Sequence, residues 1–191
     1  STKVKKVWDI LGKTQNMEVD TLMNTPDYIL KNRKHISYVD INGGEPFYHK
    51  KAKNLLRELI RTGDNEHITL HITTNATRID PDTVAMVKKF KDVVLSISID
   101  GVGAVQEYIR PGCNWNKLTE NIKLLRTNGI SLQVASTISV MTMLRLPELE
   151  QWCKDNGIFW SQPGLIDKPG ELGPHNLPYQ LHDLVPEKYK K

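Results

Sequence analysis

Cysteine is scarce in this chain of 191 residues: there are two, Cys113 and Cys153. They fall in no CxxC or CxxxCxxC pattern, which excludes a disulfide framework and a recognisable metal-cluster motif in the sequence. A reducing, cytoplasmic setting is the expectation. Long hydrophobic runs are also missing. None approaches the roughly 20 residues of a spanning helix, and no signal-peptide pattern is visible, so no membrane partner is expected. Dense positive charge is missing as well. The net charge is +4, the lysines are scattered, and the one cluster is Lys188, Lys190 and Lys191. That cluster reads as a solvated end, so nucleic-acid binding is not expected. There is no low-complexity segment, and the histidines show no metal-ligand spacing. Gly101-Val102-Gly103 follows an apolar run, but Gln106 stands where a dinucleotide fingerprint needs its third glycine.

What is present suits one globular core. Hydrophobic residues make up 39% and charged residues 25%, ordinary values for a folded domain. Strand-like runs at 36–42, 68–75, 93–99, 132–140 and 158–162 alternate with helical patterns. The helices are expected at 47–62, after Asp80-Pro81, after Asn114 and from Pro147, with Gly63, Gly129 and Gly157 as stops. Strands separated by helices imply parallel pairing through right-handed crossovers. Three parts are expected: a helical lead-in over 1–34, with helices at 4–11 and from Asp27; a core over 35–165; and a Pro- and Gly-rich tail over 166–191, with a short helix after Pro178.

The strand faces carry more than the strand count. Leu95, Ile97 and Ile99 alternate with Ser96, Ser98 and Asp100. Ile68, Leu70 and Ile72 oppose Thr69, His71, Thr73 and Asn75. Val39 and Ile41 oppose Tyr38, Asp40 and Asn42, and Leu132, Val134 and Ile138 oppose Gln133, Thr137 and Ser139. A parallel sheet covered on both faces reads as nearly continuous Val, Ile and Leu. One polar face across four strands instead implies a wet cavity or ligand site, as in an open, curved half-barrel. An antiparallel sheet with one face in water is the alternative.

The first strand ends in Asn42-Gly43-Gly44-Glu45-Pro46. Two glycines let backbone approach a ligand, the carboxylate suits a cationic amine, and the proline biases Glu45 toward extended backbone. Carboxyl ends of parallel strands are where α/β folds bind ligands. The plainer reading is a tight turn closed by a helix-capping acid. His71 reads as a hydrogen-bonded structural residue. Cys113 follows Gly112 before a helix, where a thiol pKa could be lowered. Trp115 and Trp152 read as core.

Further motifs occupy the next strand ends: Thr73-Thr74-Asn75-Ala76, then Ser98-Ile99-Asp100-Gly101, then Tyr108-Ile109-Arg110-Pro111-Gly112 before a helix with Trp115. Together with GGEP, in this order, they resemble the radical S-adenosylmethionine (SAM) superfamily, most closely its members with a shortened auxiliary twitch domain. The resemblance covers roughly residues 36–162. It implies an α/β fold, a partial (βα)6 TIM-like barrel of parallel strands. The five strands would be its second to sixth, and the first βα unit would be missing.

The resemblance also implies SAM as cofactor, together with a metal-binding, iron–sulfur (4Fe-4S) chemistry. That cluster cleaves SAM to a 5′-deoxyadenosyl radical, which abstracts hydrogen from substrate. The family holds the cluster by CxxxCxxC cysteines that this sequence lacks. The cluster is therefore expected only in a full-length protein of which this chain is a fragment. A lineage that has lost the cluster is the alternative. As given, the chain is expected to be inactive, with no catalytic and no metal-ligating residues assigned.

By the same resemblance, Gly43, Gly44, Glu45 and Pro46 form the SAM amine turn, Ser98 contacts SAM, and Arg110 pairs with its carboxylate, as a guanidinium fork can. Thr74, Asn75, Asp100 and Thr137 would line a substrate cavity, for a peptide or a small molecule. The competing readings are a degenerate, non-catalytic barrel that binds SAM, a peptide or a partner, and an unrelated aldolase-type barrel. The latter calls for a lysine or an acid at a strand end as catalyst, and the strand ends offer Asn75 and Asp100 without an inward lysine.

Overall fold

Period-two alternation decides which side of each strand the helices cover. The computed structural model describes residues 25–161, 163–166 and 168–189. Its strands are β1 (Tyr38–Ile41), β2 (Thr69–Thr74), β3 (Asp92–Ser98), β4 (Ser131–Ala135), β5 (Thr137–Ile138), β6 (Phe159–Trp160) and β7 (Gly164–Leu165). The main sheet has the order β1-β2-β3-β4-β6, and every pair in it is parallel. The register sets Ile41, Ile72, Leu95 and Leu132 in one row, and Thr74, Ile97, Val134 and Trp160 in the next.

Helices cover that apolar side. They are α1 (Thr25–Asn32), α2 (Lys50–Arg61), α3 (Pro81–Val87), α4 (Ala104–Ile109), α5 (Trp115–Thr127) and α6 (Leu146–Asp155). Leu55, Leu56 and Leu59 of α2, Val84 and Val87 of α3, and Leu118, Ile122 and Leu125 of α5 join Leu70, Ile72, Leu95, Ile97 and Val134 in one core. Each such side chain contributes roughly 1.5–3 kcal/mol on burial. A register slip of one residue would turn a whole row to the wrong face. Asp80 caps α3 by accepting from the Thr83 amide, with Pro81 in the first turn, and Asn114 caps α5 through the Lys117 amide. Trp115 and Trp152 pack against the core and meet each other edge to face, centroids 5.2 Å apart.

The expected fold is observed: α/β, with a five-stranded parallel sheet matching a partial barrel. No closed barrel forms among the described residues. Three boundaries differ. The helix expected over 47–62 begins only at Lys50, because Tyr48 N–H bonds back to the Glu45 carbonyl at 3.0 Å and Phe47 is buried in a turn. The strand expected over 132–140 breaks at Ser136, and β5 pairs with β7 in a separate two-stranded sheet. Trp160 Nε1 donates to the Ser136 hydroxyl at 2.8 Å, and Gly164 N–H to the Ser136 carbonyl at 2.9 Å. Ser136 thus hands the chain from one sheet to the other. The fifth expected strand is β6 alone, and Gln162 lies outside the described residues, as does the helix expected at 4–11. After Pro178 the tail forms a 3-10 helix, Tyr179–Leu184.

Candidate functional site

The GGEP turn leaves β1 with Gly43 at φ 92° and Gly44 at φ 57°. An L side chain is strained there, which accounts for both glycines. A Cβ built at either would meet nothing within 4 Å, so the turn faces open space. Glu45 follows, and its carboxylate is occupied. Oε1 accepts from the Thr74 hydroxyl at 2.6 Å and the Phe47 amide at 3.3 Å. Oε2 accepts from the Asn75 amide at 2.7 Å. Glu45 therefore ties the first strand end to the second. Pro46 is buried beside it.

Thr74 belongs to the helix-side row and is 1% exposed. Expected to line a cavity, it instead serves Glu45, and its hydroxyl also accepts from the Ala76 amide at 3.0 Å. Ala76 sits at φ 50°, the one positive-φ non-glycine among the described residues. Such strain persists only where the surroundings over-determine it. Here Asn121 of α5, 2% exposed, donates to the Ala76 carbonyl at 2.8 Å. Between them, Asn75 is half-buried. Its Oδ1 accepts from the Thr77 amide at 3.0 Å and the Thr77 hydroxyl at 2.8 Å. An N–H can only donate, so Oδ1 is fixed as the acceptor and Nδ2 as the free end. On the neighbouring strand end, the Thr73 hydroxyl donates to Asn42 Oδ1.

The third strand end is held by two side chains. Asp100, 6% exposed, accepts from the Thr137 amide at 2.7 Å through Oδ1 and from Arg110 Nε at 2.7 Å through Oδ2. Gln106 of α4, 1% exposed, accepts from the Asp100 and Gly101 amides at 2.8 and 3.3 Å and donates to the Ser98 carbonyl at 3.1 Å. A Cβ at Gly101 would come within 2.5 Å of Val105 Cγ1, so glycine lets α4 pack against the strand end. The Ser98 hydroxyl has no partner among the described residues.

Lower on the polar face, one rung crosses four strands. His71 Nδ1 lies 2.8 Å from Asp40 Oδ1 and Nε2 lies 2.7 Å from Ser96 Oγ. Gln133 Nε2 donates to Ser96 Oγ at 2.5 Å. A carboxylate can only accept, so Nδ1 carries the proton and, in the neutral ring, Nε2 accepts from Ser96. Tyr38 stacks on His71 with centroids 6.4 Å apart. Its hydroxyl pKa is raised by burial and then by Asp40. His71 is thus the hydrogen-bonded residue expected of it.

Gly43, Gly44, Glu45, Pro46, Thr74 and Asn75 come together in one braced assembly, and Asp100, Arg110 and Thr137 in a second beside it. Asp100, expected to line a cavity, and Arg110, expected to pair with the SAM carboxylate, form an ion pair with each other. Sequence reading missed Gln106 and Asn121. Each is a buried amide on a helix, and a polar residue within an apolar helical face was the available signal. Cys113 does not have the lowered pKa its position suggested: burial, followed by Glu107, raises it. Cys153 is buried, and burial pushes its thiol up to about 11. Among the described residues no group of three or more His, Cys, Asp or Glu could hold a metal ion, and no helix is long and apolar enough to cross a membrane.

Comparison with known proteins bears on this arrangement. No curated protein matches the chain. Solved structures share its fold. Native anSMEcpe with bound AdoMet is 18% identical, with a TM-score of 0.60, over 80% of this chain and 44% of that one. Streptococcus suis SuiB is 20% identical, with a TM-score of 0.61, over 79% and 35%. The radical S-adenosylmethionine methyltransferase TsrM from Kitasatospora setae, with cobalamin and a 4Fe-4S cluster bound, is 13% identical, with a TM-score of 0.50, over 73% and 29%. The chain thus spans less than half the length of these neighbours. The family model of the Radical SAM superfamily matches residues 6–154. That match takes in GGEP, TNA, SIDG and the helices that brace them, and by it the chain belongs to the radical SAM superfamily.

Proposed function

We propose that this chain is the SAM-binding core of a radical SAM enzyme, of the type that carries a twitch domain. The observation that carries the reading is the brace from Glu45 to Thr74 and Asn75, which shapes a glycine turn facing open space at the carboxyl ends of parallel strands. The residues suit SAM. Carbonyls of the turn can accept from a methionyl amine, Ser98 is an uncommitted hydroxyl, and Asn75 an uncommitted donor. They do not suit the cluster, since two cysteines cannot supply three thiolates. Supplied in a full-length protein, the cluster would convert SAM to the 5′-deoxyadenosyl radical for hydrogen abstraction. We read the chain as a helical lead-in over 1–34, a barrel core over 35–165 and a tail over 166–191, acting on a peptide or a small molecule in the cytoplasm. The cysteine count favours a second reading, a non-catalytic module that binds SAM, a peptide or a partner protein.

The test is equilibrium dialysis of labelled SAM against the chain and two variants. Binding is expected in the wild type and in the Lys51→Ala control. Glu45→Ala should lose tenfold or more, because the charged hydrogen bonds of the brace are worth roughly 1.5–3 kcal/mol. Failure of the wild type to retain SAM removes the reading.

A further inference from the structure

We propose that the polar face of the main sheet, between Tyr38 and Phe159, holds a cationic side chain of the substrate, an alkylammonium or a guanidinium. The inference deepens the proposed function, and rests on it, by giving the substrate a chemical class. Three observations carry it. First, the charge of this face runs against that of the chain. The net charge is +4, yet the five strands of the main sheet carry no lysine or arginine, and their carboxylates are Asp40 and Asp92. The Asp40 side chain is one-third exposed, and its one hydrogen-bond partner among the described residues is His71. An imidazole in its neutral form does not cancel that charge. Second, the hydrogen bonds of the rung run one way. Asp40 can only accept, so His71 Nδ1 donates to it at 2.8 Å and Nε2 accepts from the Ser96 hydroxyl at 2.7 Å. The Ser96 oxygen then accepts from Gln133 Nε2 at 2.5 Å. This order leaves Asp40 Oδ2 at one end and Gln133 Oε1 at the other. Both are acceptors, and neither has a partner among the described residues, so the rung addresses donors. Third, exposed aromatic rings flank it. Tyr38, 48% exposed, stacks on His71. Phe159, 69% exposed, stands opposite Gln133 in the register and so on the same face.

The chemistry that fits is a cationic head on a hydrocarbon stem. The head meets the carboxylate and the amide oxygen, and the stem lies along the rings. Asp40 comes two residues before Asn42, which places the rung about 7 Å down the same face from the glycine turn. A substrate seated beneath a ligand at that turn reaches the rung with its own side chain. The bond formed there is charge-assisted and partly desolvated, which strengthens it.

The experiment titrates three probes into the chain, the Nα-acetyl methylamides of lysine, arginine and norleucine, with SAM retention measured by dialysis on the same samples. Norleucine supplies the stem without the charge. Amide proton–nitrogen NMR shifts report both affinity and place. The lysine and arginine probes should bind about tenfold more tightly than norleucine, with shifts centred on Asp40, His71, Gln133 and Phe159. Asp40→Asn keeps an oxygen for His71 Nδ1, so its thermal midpoint should hold while the preference for charge is lost. Phe159→Ala, at an exposed position, should weaken the cationic probes without unfolding the chain. Glu148→Gln, which removes an exposed carboxylate on α6, should change nothing. Equal binding of norleucine, undiminished cation binding in Asp40→Asn, or shifts centred on helix carboxylates such as Glu148 overturns the inference. A chain that retains SAM and takes no cationic probe also overturns it and leaves the proposed function standing. A chain that takes the cationic probes and does not retain SAM overturns the proposed function, and with it the cation as substrate.

Discussion

Arg110 and Asp100 meet at the carboxyl end of β3, Nε to Oδ2 at 2.7 Å, with the guanidinium one-third exposed and the carboxylate 7% exposed. The pair is lopsided. Arg110 can find water if it loses its partner, and Asp100 cannot.

Truncating Arg110 should therefore be felt through Asp100. Arg110→Ala is expected to cost about 1–3 kcal/mol, the range for stranding a buried polar group, read as a lower urea midpoint at unchanged slope. Arg110→Lys should recover only part of this, because an ammonium lacks the guanidinium's planar fork. A variant as stable as the wild type would mean that Asp100 is satisfied without the pair.

The glycine turn separates strain from space. Gly43→Ala meets no neighbour, yet at φ 92° it should cost about 1–2 kcal/mol, the penalty of left-handed backbone for an L residue. The same substitution at Gly101 fails for the opposite reason, since Val105 occupies the space. Equilibrium unfolding of both variants checks the contrast, and an unaffected Gly43→Ala would argue that the turn relaxes freely.

Much of this assembly was legible because local chemistry and tertiary demand agreed. Asp80-Pro81 and Asn114 read as helix starts and serve as such, and the alternation of Leu95, Ile97 and Ile99 with Ser96 and Ser98 sorts core from polar face. The misreadings share one cause: a partner distant in sequence. Thr74 reads as the neighbour of Asn75, and only the fold turns it under the sheet to Glu45. Arg110 reads as a partner for a ligand carboxylate, and only the fold sets Asp100 against its Nε. The break at Ser136 depends on Trp160 and Gly164, so residues 132–140 alone look like one strand.

The tail has an acid-sensitive clasp. Glu150 on α6 accepts from Lys188, Tyr189 and Lys154, and these bonds, Lys188 first, lower its pKa from 4.5 to about 2. A pKa depressed in the folded state means that this stabilisation is complete above about pH 4.5 and is lost as the pH falls toward about 2. Tyr189 lies 6.3 Å from Trp160, centroid to centroid, so indole fluorescence should report the release. Glu150→Gln should flatten that acid limb, and an unchanged limb in this variant would place the transition elsewhere.

Thiol chemistry should be slow. With the Cys113 pKa raised by burial and Glu107 and that of Cys153 at about 11, few thiolates exist near neutral pH. Cys113 is expected to alkylate more slowly than free cysteine, and Cys153 only on unfolding, as followed by mass spectrometry. Fast labelling of Cys113 in the folded protein would contradict this.

Ala76 is caught between two demands. Its backbone angle suits glycine, and its methyl group is wholly enclosed. Glycine would relieve about 1–2 kcal/mol of left-handed strain and forfeit about 1 kcal/mol of packing, so the exchange should be nearly neutral. Any larger side chain would keep the strain and overfill the space. The mutational landscape at this position is therefore flat in one direction and steep in all others, so sequences drifting over time should find a single exit there, toward glycine.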